Sequence, residues 1–127
     1  MPPGLAQITP FVLCSDLERQ IAFYRDVLGF TLGFKADNYA FLRCDSVAVR
    51  LLEVNPDETP PIRDRENSFY IDVHGIDAVY QKMKPMLDGL AQERVRAPFD
   101  QPYGQREFHV HDEDGTLVFF GESSSEQ

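Results

Sequence analysis

Residues 12–30 read VLCSDLERQIAFYRDVLGF. Leu17, Ile21, Tyr24 and Leu28 recur on one face of a 3.6-residue helical period. Ser15-Asp16-Leu17-Glu18 has the form of a capping box, in which a Ser side chain takes the N3 amide and a Glu reaches back. Gly29 ends the helix as a left-handed C′ residue. The same pattern returns after 59 residues, which lays Val12 on Ile71, Leu17 on Ile76, Ile21 on Tyr80, Tyr24 on Met83 and Leu28 on Leu87. Apolar meets apolar at every pair, and such self-similarity governs the reading of the whole chain. A shift of 69 lays Val47-Ala48-Val49-Arg50 on Thr116-Leu117-Val118-Phe119, so the second copy has a longer loop after its helix.

Strand-like runs surround each helix. Residues 8–14 begin the first copy, with Pro10 marking a strand start or an edge. Phe30–Phe34, Tyr39–Arg43 and Val47–Val54 follow, separated by turns at Asp37-Asn38 and Asp45-Ser46. A polar, proline-rich linker is expected over 55–67. Ser68–Val73 alternates with period two and leads into a helix marked by Ile76, Val79, Tyr80, Met83 and Leu87, which Pro85 should kink or end. Residues 88–104 read as loop, apart from a short strand at Ala91–Arg96. Arg106–His111 and Thr116–Phe120 are strands around an Asp112–Gly115 turn, and Glu122–Gln127 reads as a frayed tail. The result is an α+β fold within a single domain, 1–127. Two βαβββ modules, about 7–54 and 68–122, build a cup-shaped mixed sheet with helices on its outer face and the other face open.

Composition bounds the function. The chain has 127 residues, 43% of them apolar and 26% charged, and that length is enough for a real core. No apolar run approaches the ~20 residues of a membrane span, and the N-terminus lacks the pattern of a signal peptide, so a cytoplasmic protein without a membrane partner is expected. Lys and Arg number 12 against 21 Asp and Glu, a net charge of −9, which argues against a nucleic-acid partner. That charge either keeps the protein soluble or attracts a cationic ligand. Cys14 and Cys44 belong to no CxxC pair and read as reduced, buried thiols.

Period two sorts the strand residues by face. Phe69, Ile71 and Val73 should meet the helix, leaving Ser68, Tyr70 and Asp72 on the open side. Phe108 and Val110 are core candidates, which puts Glu107, His109 and His111 opposite them. Arg50 is a lone charge among apolar neighbours. His109 and His111 without a fixed third ligand read as strand-end histidines rather than a metal site. Phe30, Phe34 and Phe41 read as core, whereas Tyr39 and Tyr103 sit at turns where core packing is disfavoured. No HExxH, P-loop or GxSxG pattern occurs.

The βαβββ duplication, the segment Asp16–Phe30, and the ending Tyr103–Phe108 followed by Asp112-Glu113-Asp114-Gly115 resemble the vicinal oxygen chelate superfamily over roughly residues 7–122. That group includes glyoxalases, extradiol dioxygenases, fosfomycin-resistance enzymes and bleomycin-resistance proteins. In its metal-dependent members four positions supply His, Gln or Glu. Here they are Thr9, Arg50, Ser68 and Phe119, a poor set for a divalent cation, so no metal, cofactor or catalytic residue is expected. Phe30–Val54 and Gln101-Pro102-Tyr103-Gly104 resemble the bleomycin-resistance proteins most, with Tyr103 where those have Trp. The resemblance implies a homodimer that sequesters a cationic glycopeptide antibiotic, or a similar ligand, in clefts between subunits. Tyr39 and Tyr103 would stack on a planar group. Arg50, Ser68, Tyr70, Glu107, His109 and His111 would line the cup, with Phe119 as its apolar floor. The alternative is a metal-dependent lyase, isomerase or dioxygenase whose ligands have shifted to His109, His111 and Glu107. A cup for an unrelated small metabolite, with an anion at Arg50, is a third reading.

Overall fold

The computed structural model describes residues 2–55 and 67–124. The first module runs β1 (Phe11–Cys14), α1 (Leu17–Ala22), β2 (Thr31–Ala36), β3 (Tyr39–Cys44) and β4 (Val47–Glu53). The second runs β5 (Ser68–Asp72), α2 (Ile76–Leu87), β6 (Val95–Asp100), β7 (Gln105–His111) and β8 (Leu117–Ser123). Each module makes its own four-stranded mixed sheet, in the orders β1-β4-β3-β2 and β5-β8-β7-β6. The outer strand pairs are parallel, Phe11 opposite Arg50 in one and Tyr70 opposite Phe119 in the other. These pairs sit at the same place in the two modules, so the sequence repeat holds at the level of strand register.

One face of each sheet carries the core. Leu17, Ile21, Tyr24 and Leu28 are buried against Val12, Leu42, Val49 and Leu51, while Ile76, Tyr80 and Leu87 cover Ile71, Phe108, Val118 and Phe120. Each large side chain buried this way contributes about 1.5–3 kcal/mol. Helix one continues past Ala22 as a π-helical turn, Phe23–Val27, and stops at Gly29, whose φ of 85° is left-handed as expected.

Several local expectations need correction. The cap of α1 is Asp16, which accepts from the Arg19 amide at 3.2 Å, and Ser15 bonds Asp114 instead. The leading amide of each helix is taken by a glutamate at the end of that module's last strand. Leu17 N–H donates to Glu53 Oε1 at 2.7 Å, and Ile76 N–H donates to Glu122 Oε1 at 2.8 Å. Glu122 therefore belongs to β8 rather than to a frayed tail. Pro85 does not end α2, which runs on to Leu87; it lies in the final turn, where its missing N–H costs the helix a single bond. The strand expected at Ala91–Arg96 lies at Val95–Asp100, after a 3₁₀ turn at Gln92–Arg94. The first strand starts at Phe11, after Pro10. The proline-rich linker lies, apart from Asn55 and Asn67, outside the described residues.

The modules are locked together on one side. Tyr24 OH donates to Asp112 at 2.9 Å, Ser15 Oγ to Asp114 at 2.7 Å, and the Glu113 amide to Gln20 Oε1 at 3.2 Å. The repeat-equivalent side, around Cys44, Asp45, His74, Val79 and Met83, holds a cavity of about 420 Å³ instead. Both cysteines are free, Cys14 buried and Cys44 half-buried. Burial, helped by nearby carboxylates, pushes the Cys14 thiol up to about 12, so it is inert packing. No helix among the described residues is long and apolar enough to cross a membrane.

Candidate functional site

The sheet faces turned away from the helices carry the aromatic and charged side chains. On the second module the centre is Glu107, which is fully buried. Oε2 accepts from Tyr103 OH at 2.7 Å and Tyr70 OH at 3.0 Å. Oε1 accepts from Gln101 Nε2 at 3.0 Å and faces His109 Nε2 at 2.8 Å. A carboxylate acceptor sets the His109 tautomer with a proton on Nε2. Gln105 Nε2 donates to Tyr70 OH at 2.8 Å, which extends the chain of donors by one link. Burial raises the Glu107 pKa, but the bonds from His109, Tyr103, Gln101 and Tyr70 together outweigh it and hold the carboxyl below its usual range. The bond to Glu107 in turn pushes the Tyr103 phenol up to about 12.

Rings close the network from the sides. Tyr70 stacks on Phe119 at 5.7 Å between centroids, His109 lies 4.2 Å from Phe119, and Phe99 meets His109 edge-on at 5.1 Å. Gly121, paired with Glu107 across β7 and β8, makes this approach possible. A Cβ there would fall onto the Tyr70 hydroxyl and within 2.7 Å of Tyr70 Cζ.

The first module's open face has the opposite charge. Arg50 donates through Nη1 to the Tyr39 hydroxyl and lies 5.0 Å over the Phe41 ring. Tyr39 is flanked by Phe11 at 6.3 Å and Phe34 at 6.1 Å. Phe41 and Phe34 are thus on the open face rather than in the core, and Phe34 is 56% exposed. The shift in register between Leu32 and Phe34 turns Phe34 to that side. Phe30 is in the core as expected.

The structure therefore joins Tyr70, Tyr103, Glu107, His109 and Phe119 into one cluster, and Tyr39 with Arg50 into another. It does not bring Tyr39 and Tyr103 into contact. Ser68 is exposed at the start of β5, outside both clusters. His111 stands at the far end of β7, where its backbone carbonyl accepts from Arg94 at 3.0 Å. Glu107, read from sequence as lining the cup, lies beneath Tyr103, Tyr70 and Gln101 and exposes no surface to a ligand. Gln101, Phe99, Phe41, Arg43 and Gly121 are members that the sequence reading missed. The period-two alternation that places Tyr39 already places Phe41 and Arg43 beside it.

Shifted metal ligation by Glu107, His109 and His111 draws no support from this geometry. His109 Nε2 is committed to Glu107, and no three His, Cys, Asp or Glu side chains among the described residues are placed to hold an ion.

Residues 4–120 match the family described as the Glyoxalase/Bleomycin resistance protein/Dioxygenase superfamily. The bleomycin resistance proteins of Geobacillus stearothermophilus and Staphylococcus aureus are each 32% identical to the chain, over 91% of it and 96% of the relative. Among solved structures, the bleomycin-binding protein of Streptomyces verticillus complexed with copper(II)-bleomycin superposes with a TM-score of 0.77 at 21% identity, over 98% of this chain and 99% of that one. The lactoylglutathione lyase of Agrobacterium tumefaciens superposes with a TM-score of 0.68 at 20% identity, over 94% and 95%. Binder and lyase share the fold, so the fold by itself selects neither activity. The duplicated βαβββ architecture, the register of its two sheets and the match across nearly its whole length place the chain in the glyoxalase/bleomycin resistance protein/dioxygenase superfamily.

Proposed function

We propose that this chain is a binding protein of the bleomycin-resistance type, which sequesters an antibiotic between aromatic side chains and performs no chemistry on it. The observation that carries this reading is the 32% identity to bleomycin resistance proteins over 91% of the chain. The two aromatic open faces support it, because rings bearing one polar end suit a planar ligand. A homodimer completes the site. Its cleft sets Tyr39 and Arg50 of one protomer against Tyr103, Tyr70, His109 and Phe119 of its partner. Leu5 and Ile8 are exposed large apolar side chains that a second copy would cover. The net charge of −9 favours capture of a cationic glycopeptide at long range. A cytoplasmic location suits the two free cysteines.

The test is a calorimetric titration of the chelator-treated protein with metal-free bleomycin, paired with sedimentation. The expected result is a dissociation constant on the order of micromolar or tighter, from a dimer. Absence of binding withdraws the drug assignment. A monomer at micromolar concentration withdraws the shared cleft.

A further inference from the structure

Most basic side chains among the described residues are neutralised. Arg19, Arg25, Lys35, Lys84, Arg94 and Arg106 each pair with a carboxylate within 3.4 Å. Among the described residues the arginines with no carboxylate partner are Arg43, Arg50 and Arg96, and all three lie over aromatic rings of the open faces. Arg43 and Arg50 flank the same ring, Phe41, at 5.3 and 5.0 Å, and Arg96 lies 3.5 Å over Phe99. A guanidinium over a ring can still offer in-plane N–H groups to an oxyanion. Arg50 gives Nη1 to the Tyr39 hydroxyl, and its remaining N–H groups and those of Arg43 have no carboxylate partner among the described residues. Phe11, Phe34 and Tyr39 surround the pair with ring surface, and Phe11 is 58% exposed.

The geometry points to an anion subsite at Arg43 and Arg50, which takes the acidic group of a planar aromatic ligand while the ring lies against Phe11, Phe34 and Tyr39. This inference deepens the binding-protein reading and rests on it only in taking the open face as the ligand face. The repeat-equivalent positions on the second module hold His111 and Phe119, so the subsite belongs to the first module alone. A cationic drug has no use for it, and the cleft is therefore suited to ligands that carry an acid as well as flat rings.

The experiment is calorimetry with 2-naphthoate and its neutral partner 2-naphthamide on the intact protein, with bleomycin titrated alongside. The acid is expected to bind about tenfold or more tightly than the amide, with a preference that weakens as salt rises. Arg50→Gln and Arg43→Gln should each lower affinity for the acid about tenfold and leave the amide unchanged. Arg43 is exposed, so its replacement does not threaten the fold. Equal affinities, no naphthoate binding at millimolar concentration, or a preference that survives both substitutions would each overturn the subsite. Bleomycin binding without acid preference overturns the subsite and leaves the drug reading standing. Acid preference without bleomycin binding does the reverse.

Discussion

The Tyr103 hydroxyl donates to Glu107 Oε2 at 2.7 Å, yet 61% of Tyr103 is exposed while Glu107 is fully buried. The bond fixes one end of an otherwise solvent-facing ring and so presents its flat surface in a single orientation. Removing the ring and removing the bond should have separable effects. Tyr103→Ala should weaken bleomycin binding by roughly two- to tenfold, in line with a stacking contribution of about 0.5–1.5 kcal/mol. Tyr103→Phe should lose less, because the surface remains and only its orientation is freed. Unchanged affinity in both variants, measured by calorimetry, removes Tyr103 from the site.

Glu107 ties the second open face together, so its replacement tests whether the network is structural. Glu107→Ala leaves two tyrosine hydroxyls, an amide and an imidazole without their acceptor, and should cost about 2–4 kcal/mol in chemical denaturation. Its folded pKa is held below the usual carboxylate range. The stability it contributes is therefore complete above the unfolded value near 4.5 and is lost as the pH falls through the lower folded value. Glu107→Gln should be less stable than wild type at pH 7, and the gap should close below about pH 4.5. A gap that stays constant from pH 7 to pH 3 contradicts the assignment.

Gly121 acts through space rather than through its backbone conformation. In Gly121→Ala the new methyl group occupies the path of the Tyr70 hydroxyl, and the ring must swing away. Tyr70 then loses its bonds to Glu107 and Gln105 and its stack on Phe119. The expected stability loss is about 1–2 kcal/mol. Tyr70→Ala should abolish most of the additional effect of Gly121→Ala in a double-mutant cycle, because it removes both the hydroxyl and the ring carbon that the new methyl group meets. Additive losses would show that Gly121 is under some other constraint.

The sequence carried the repeat, and with it both helices, most of the strands and the membership of Tyr70, His109 and Phe119 in one face. Alternation along a strand reports which side a residue faces, but not how deep it lies. Glu107 was therefore assigned to the right side and the wrong depth, since the residues that cover it arrive from the preceding turn at Gln101 and Tyr103. A single register shift near Gly33 reverses parity, and that hid the exposure of Phe34. The glutamates that take the leading helix amides were invisible for another reason. Glu53 and Glu122 reach amides 36 and 46 residues away in sequence, and no local motif encodes such a contact. A local alternative, the Ser15 box, was present in sequence but lost to Asp114, which lies on the other module.

Asp112 is the buried end of the lock between the modules, and its two oxygens have different duties. Oδ1 accepts the amides of Asp114 and Thr116, both at 3.0 Å, while Oδ2 accepts the Tyr24 hydroxyl at 2.9 Å. Asn can reproduce all three contacts, because its oxygen keeps the two amides and its NH₂ can donate to Tyr24 once that hydroxyl turns. Burial raises the Asp112 pKa against the opposing effect of its hydrogen bonds. A raised carboxyl contributes stability that is complete below its unfolded pKa and declines as the pH rises through the folded value. Asp112→Asn should therefore cost less than about 1 kcal/mol at pH 7, and its stability relative to wild type should improve as the pH rises through the carboxylate range. Asp112→Ala strands a buried hydroxyl and two amides and should cost about 3 kcal/mol. Equal losses in the two variants, measured by urea denaturation, would show that the negative charge itself is what the Tyr24 contact requires.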